Sequence, residues 1–134
     1  RAILTLDVRN TNEEVLKAAE TEIRDFLQNL AAQEGVAITT RSLARFEPVT
    51  FDDAVIETIE SVAQNLDSSH MRLPSGAGHD AQMFSRVCPS GMIFVPSING
   101  ISHNPAEDTS STDLEMGANV LLHTMLALTE SMNS

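Results

Sequence analysis

The chain has 134 residues, 42% of them hydrophobic and 20% charged, which is enough apolar material for one ordinary domain or two small halves. Its 19 acidic and 8 basic residues give a formal net charge of −11. This balance excludes the usual basic nucleic-acid binder, because neutralising phosphates needs a surplus of lysine and arginine, and it argues against docking on anionic lipid. No apolar run approaches the roughly 18 residues of a membrane-crossing helix, and no signal peptide is visible.

The chain starts at Arg1, inside a strand-like segment, so we expect it to be a piece of a longer protein. Its single cysteine, Cys88, cannot form an internal disulfide, which favours a reducing, cytoplasmic location. A lone cysteine just before a proline is more often a buried apolar side chain than a nucleophile, and we expect Cys88 to be buried.

Composition divides the chain after Asp67. All four histidines, all six methionines and most of the glycines and prolines follow that residue. The pattern of residues 1–67 predicts the order strand, helix, strand, helix. Residues 1–9 alternate apolar and polar side chains, as a half-buried strand does, and residues 36–50 are rich in β-branched side chains.

Two helices in the first part have clear ends. Asn10 to Asn12 supply N-cap residues for the first helix, and Gly35 suits the position just after its last turn. Asp52 or Asp53 opens the second helix. Two helices on one face of a small sheet form an α+β layer.

The second part predicts an α/β fragment, so the fold class expected for the whole chain is α/β. Its functional loop should follow the buried strand, because ligands bind at the carboxyl ends of strands in such folds. The predicted elements are a glycine-rich turn over 72–78, a short helix over 79–88, a buried strand over 92–96, a polar loop over 97–104 and a long helix from about Ser110 or Asp113 to Leu128.

The glycine-rich turn and the helix after it are the first candidate site. Glycines allow close backbone approach, and the N–H groups at a helix start can bind a carbonyl oxygen or an anion. The turn lacks the Gly-Lys-Ser/Thr of a phosphate loop and the Gly-x-Ser-x-Gly of a nucleophile elbow. On residues alone, a plain turn with Asp80 in the first turn of the helix is the more frequent explanation.

The loop after the predicted buried strand is the second candidate site. It carries His103, and Glu107 lies four residues further on. Imidazole is a common zinc ligand and can act as acid or base, but a catalytic zinc needs about three protein ligands. A lone loop histidine is more often a hydrogen-bonded surface residue, and His70 and His123 lie in unremarkable contexts.

Three segments, in this order and spacing, resemble the hydantoinase/carbamoylase family of amidases. They are Leu6-Asp7-Val8-Arg9, the stretch MRLPSGAGHDAQM over 71–83, and the stretch GMIFVPSINGISHNPAE over 91–107. The family includes N-carbamoyl-L-amino acid hydrolases, allantoate amidohydrolases and β-ureidopropionases, and it belongs to the di-metal aminoacylase and exopeptidase clan. The two long motifs are specific, and the resemblance covers essentially the whole chain.

The resemblance implies roles for individual residues. His103 matches the last metal-ligand histidine of the family, and Arg9 matches the lid arginine that grips the substrate carboxylate. The glycine-rich loop that lines the substrate pocket corresponds to Gly76, Ala77, Gly78 and His79. Behind these residues, Asp80 and Glu107 are implied to support the site, with Glu107 orienting the His103 loop.

The family's catalytic glutamate base and its other metal ligands have no counterpart in this chain. The resemblance therefore implies the carboxyl-terminal portion of a metal-dependent amidohydrolase, with residues 1–67 from the lid and dimerisation domain and residues 68–134 from the catalytic domain. Two divalent metals, zinc or manganese, and a homodimer formed through the lid are implied for the full protein. We expect the isolated chain to be inactive and to hold metal weakly. The alternatives are a non-catalytic dimerisation or scaffold module of the same fold and an exopeptidase or aminoacylase of the same clan.

Overall fold

The computed structural model describes residues 1–131. Its helices are α1 (Glu13–Glu34), α2 (Asp53–Asn65), α3 (Asp80–Phe84) and α4 (Ser111–Ser131), with a short 3₁₀ turn over Ile98–Gly100. Within these described residues, no helix is long and apolar enough to cross a membrane.

The helix boundaries predicted from capping residues are confirmed. The Asn12 side chain accepts hydrogen bonds from the backbone N–H groups of Glu14 and Val15, and Gly35 ends α1 in the left-handed conformation at φ 60°. Asp52 caps α2 by accepting from the Val55 N–H at 3.0 Å. At the start of α4, Ser110 Oγ accepts from the Asp113 N–H and donates to the Asp113 carboxylate.

The predicted strands are not present in the described chain, and this corrects the prediction. Residues 1–9, 36–50 and 92–96 contain neither helix nor strand, so the α/β class is not confirmed by residues 1–131. A helix satisfies its backbone hydrogen bonds internally, whereas a strand needs a neighbouring strand to complete its ladder. The alternation of apolar side chains predicts a surface that can be buried, but it does not provide that neighbour.

The contacts divide the described chain into two compact units. The first unit is Arg1–Val49 together with Pro74–Gly78, and the second is Thr50–Leu73 together with the chain from His79 onward. Helix α2 belongs to the second unit because it packs against α4. The assignment of residues 1–67 to a lid and residues 68–134 to a catalytic domain stays a prediction.

The core of the second unit is small. Val62, Ala63 and Val120 are buried, and the partly buried side chains packed against them are Ile59, Leu66, Ile93 and Met116. Two glycines allow elements to approach closely. A Cβ on Gly117 of α4 would lie 2.3 Å from Val95 Cγ1, and one on Gly91 would lie 2.9 Å from Val55 Cγ1.

Much of the apolar surface is uncovered in the described chain. Leu4 is 87% exposed and Ile3 81% exposed, although their segment has the pattern of a half-buried strand. Cys88 is also exposed, which corrects the expectation that it is buried. Its position is explained by the loop that follows α3, where Cys88 contributes to the wall of an open cleft.

Candidate functional site

In the first unit, Arg9 is the centre of a hydrogen-bonded group. Its Nε and Nη2 donate to the two carboxylate oxygens of Asp7, at 2.9 and 2.6 Å. Its Nη1 donates to the carbonyl oxygen of Gly76 at 2.7 Å, across 67 residues of sequence. The structure therefore brings together the Asp-x-Arg segment and the glycine-rich turn, two of the segments that the sequence marks as functional.

The charges of this group are matched. The Arg9 guanidinium holds the pKa of the Asp7 carboxyl below its usual range, mainly by hydrogen bonding, and Asp7 in turn raises the pKa of Arg9. Both side chains remain more than half exposed. The pair is therefore ionised at neutral pH and open to solvent, so a small ligand can reach it.

The turn beside Arg9 is held by its own residues. Ser75 Oγ accepts a hydrogen bond from the Ala77 N–H at 3.2 Å, and the Gly76 carbonyl accepts from Arg9. A Cβ built on Gly76 or Gly78 meets nothing within 4 Å. The turn thus has open space beside its backbone, as a ligand-binding loop requires.

In the second unit, His103 lies in a loop of unusual backbone geometry. Its φ is 54°, a left-handed conformation that a non-glycine residue adopts infrequently. The His103 N–H donates to Glu107 Oε2 at 2.7 Å, and the Asn104 side chain accepts from the Ala106 N–H. Glu107 therefore holds the backbone of His103 directly, and its role behind a metal ligand stays a prediction.

His79 and Asp80 mark the start of α3 in the second unit. His79 has the extended backbone of an N-cap residue, and its ring packs edge-on against Phe94 with centroids 5.3 Å apart. Asp80 lies in the first turn, where the positive end of a helix favours a carboxylate. The ring of His79 is thus oriented by an aromatic neighbour that the sequence did not single out.

The described residues do not assemble a complete metal site. Within residues 1–131, no three His, Cys, Asp or Glu side chains gather into a group that could hold a metal ion. His103 stays the predicted ligand, and the nearby Glu107 carboxylate accepts a hydrogen bond from the His103 backbone.

The second unit also has an open cleft of about 660 Å³ among α2, α3 and α4. Its wall is almost entirely apolar, with Cys88 and Thr124 among its few polar side chains, and none of the predicted site residues lines it. The cleft therefore carries no arrangement of acids, bases or ligands that could perform chemistry.

The sequence assigns no site role to Asp7, although Asp7 belongs to the Leu6–Arg9 segment that carries the resemblance. The signal was the spacing of two residues, which places both side chains on one face of an extended segment. The contact between Arg9 and the Gly76 carbonyl gave no local signal, because a backbone carbonyl is present at every residue.

The chain is similar to known hydrolases over nearly its whole length. It is 37% identical over 130 residues to an N-carbamoyl-L-amino-acid amidohydrolase of Rhizobium meliloti, covering 97% of this chain and 31% of that protein. It is 35% identical over 121 residues to the allantoate amidohydrolase of Escherichia coli K12, covering 90% of this chain and 29% of that protein. The chain therefore spans less than a third of the length of these curated relatives.

Solved structures agree with the sequence comparison. The crystal structure of a hydantoinase/carbamoylase family amidase from Burkholderia vietnamiensis superposes with a TM-score of 0.81 and 38% identity, over 88% of this chain and 29% of that one. The resemblance to this amidase group is thus confirmed. Residues 6–127 match the model of peptidase family M20/M25/M40, and the chain belongs to that family.

Proposed function

We propose that this chain is the carboxyl-terminal part of an amidohydrolase that cleaves a linear amide or ureido C–N bond in a small carboxylate-bearing substrate. N-carbamoyl-L-amino acids and allantoate are the substrate types, because relatives are named for them and both carry a carboxylate. The observation that carries the proposal is the exposed Arg9, tied to the glycine-rich turn through the Gly76 carbonyl.

The proposal gives each candidate site residue a task. Arg9 binds the substrate carboxylate through charge-assisted hydrogen bonds. The backbone of Gly76, Ala77 and Gly78 lines the pocket. His79, packed against Phe94, borders the same turn in sequence and would contact the substrate, with Asp80 behind it.

His103 would provide one imidazole ligand for a divalent metal, zinc or manganese. The two-metal centre that the resemblance implies would, when bound, supply activated water for attack on the carbonyl carbon. In this proposal His103 is the ligand that the chain supplies, and the resemblance assigns the general base to none of residues 1–131. Glu107 holds the His103 N–H and so fixes the direction of the loop.

The experiment is an activity assay on the full-length protein that carries this chain. Loaded with zinc or manganese, it should release ammonia from an N-carbamoyl-L-amino acid or from allantoate. Dipeptides are the comparison substrate, and faster cleavage of dipeptides would instead indicate an exopeptidase. No turnover of any of these substrates by metal-loaded protein would favour the scaffold alternative.

Two further parts of the proposal concern the whole protein. We infer a homodimer formed through the first unit, whose exposed apolar side chains include Phe26 of α1, and a cytoplasmic location. Sedimentation of the full-length protein tests the dimer, and a monomer at micromolar concentration would contradict it.

A further inference from the structure

The hydrogen bonds of Arg9 leave a defined part of its guanidinium open. Arginine has five N–H groups. Asp7 takes one from Nε and one from Nη2, and the Gly76 carbonyl takes one from Nη1. One N–H on Nη1 and one on Nη2 therefore remain without an acceptor among residues 1–131.

The two remaining N–H groups lie on different nitrogens of one planar group. Two donors on adjacent guanidinium nitrogens can bind the two oxygens of a carboxylate through parallel hydrogen bonds. The Arg9 side chain is 59% exposed, so a ligand can approach it from solvent.

Asp7 has two opposing effects on such binding. Its negative charge offsets part of the attraction between Arg9 and a carboxylate, which weakens binding. Its two hydrogen bonds also fix the guanidinium plane, so that less side-chain freedom is lost when a ligand binds. The Gly76 carbonyl adds a third point of attachment, and the three contacts surround the group on two sides.

We propose that Asp7 is a positioning residue that, together with the Gly76 carbonyl, orients Arg9 so that its two open N–H groups face the substrate carboxylate. This inference rests on the function proposed above for Arg9, and it adds Asp7 to the determinants of carboxylate specificity. The inference requires that fixing the guanidinium plane strengthen carboxylate binding by more than the negative charge of Asp7 weakens it. Removing that charge must therefore weaken carboxylate binding.

The kinetic test compares Asp7→Asn with wild type in the full-length protein. The substrates are an N-carbamoyl-L-amino acid and its carboxamide, which lacks the carboxylate. For the acid we expect KM to rise roughly tenfold with kcat unchanged, less than the hundredfold that a misplacement of about 1 Å can cost. For the carboxamide we expect no change.

Two controls separate positioning from a general structural effect. Asp25→Asn makes the same chemical change on an exposed residue of α1 in the same unit and should behave as wild type. In an Arg9→Ala background, Asp7→Asn should have no further effect, because Asp7 acts through Arg9. A KM for the acid that stays the same or falls in Asp7→Asn overturns the inference, as does an equal rise for both substrates.

A second measurement does not depend on turnover. The Arg9 Nε–H resonance, assigned by its loss in Arg9→Lys, should be visible at neutral pH in wild type and lost through fast exchange with water in Asp7→Asn. Acetate alone should shift this resonance in wild type. Equal exchange in both proteins overturns the inference even if the enzyme proves to act on another substrate, while absence of turnover with a protected Nε–H refutes only the proposed reaction.

Discussion

The α2–α4 pair and residues 1–9 both carry a pattern of apolar side chains, but only the helix pair buries some of them. Val62 and Val120 are 8% and 5% exposed, whereas Leu4 of the amino-terminal segment is 87% exposed. The helices complete their own backbone hydrogen bonds and can therefore pair as preformed elements. The amino-terminal segment needs a neighbour for both its backbone and its apolar face. The comparison teaches that elements which complete their own backbone hydrogen bonds can bury part of an apolar face against each other, whereas an extended segment with apolar patterning stays exposed without a neighbouring strand.

We expect the largest loss of stability from a side chain added at Gly117, where α4 lies close to Val95. Gly117→Ala would place a Cβ 2.3 Å from Cγ1 of the stiff, β-branched Val95, so either Val95 must leave its rotamer or the backbone must shift. We expect a loss of about 1–3 kcal/mol in the free energy of unfolding, measured by urea denaturation. Gly78→Ala is the matched control, since its Cβ meets nothing within 4 Å. Equal stability of the two variants would show that α4 is not pressed against Val95.

Truncation of one apolar side chain in each region tests the comparison directly. Val62→Ala should lower the free energy of unfolding by about 1.5–2 kcal/mol, because two buried methyl groups are removed. Leu4→Ala should change it by less than about 0.5 kcal/mol in the 134-residue chain, because Leu4 is already in water. In the full-length protein, we expect Leu4→Ala to become as costly as Val62→Ala. A costly Leu4→Ala in the 134-residue chain would contradict the exposure of residues 1–9.

The sequence predicted those parts of the fold whose cause is local. Asn12, Gly35 and Asp52 act on backbone groups two to four residues away, so their effect is visible in a short stretch of sequence. The predicted strands are absent from residues 1–131 because a strand needs a neighbouring strand, and alternation along one segment does not supply it. The exposure of Cys88 was missed for a related reason, since burial depends on what packs above a residue.

The residues of the candidate site could be predicted from the sequence, but their geometry could be predicted less well. Arg9, Gly76 and His103 were identified through a resemblance, and the structure adds how two of them are joined. The Arg9–Gly76 hydrogen bond spans 67 residues, and no spacing rule predicts such a contact. The left-handed backbone of His103 was also unforeseen, because neither glycine nor asparagine marks that position.

Removing the N-cap of α1 should have a smaller effect on the free energy of unfolding. Asn12→Ala removes the acceptor of two backbone N–H groups, and we expect a loss of about 1 kcal/mol in the free energy of unfolding. Asn29→Ala, an exposed position inside the same helix, should be neutral or slightly stabilising, because alanine has the higher helix propensity. Helical content followed by circular dichroism during unfolding measures both. An equal loss in the two variants would show that the cap is not what stabilises the helix start.

The ion pairs of Arg45 should give the smallest effect, and it should depend on pH. Arg45 links the 36–50 segment to α1 through Glu13 and Glu20, and its hydrogen bonds are the main reason that the pKa of Glu13 is lowered. A lowered pKa in the folded state means that the stabilisation is fully present above the ordinary glutamate value of 4.5 and is lost as the pH falls through the lower folded value. Glu13→Gln should therefore reduce the melting temperature at pH 7 and have no effect once the pH is well below 4.5.

Glu14→Gln is the matched control for this last effect. Glu14 has the same charge, lies in the same first turn and contacts the same Lys17, but it makes no contact with Arg45. The difference between the two variants isolates the link from Arg45 to α1, and it should shrink at high salt because the groups are accessible to solvent. If Glu13→Gln and Glu14→Gln lower the melting temperature equally at pH 7, the 36–50 segment is not held by Arg45. The extended 36–50 segment would then gain no stability from its side-chain link to α1.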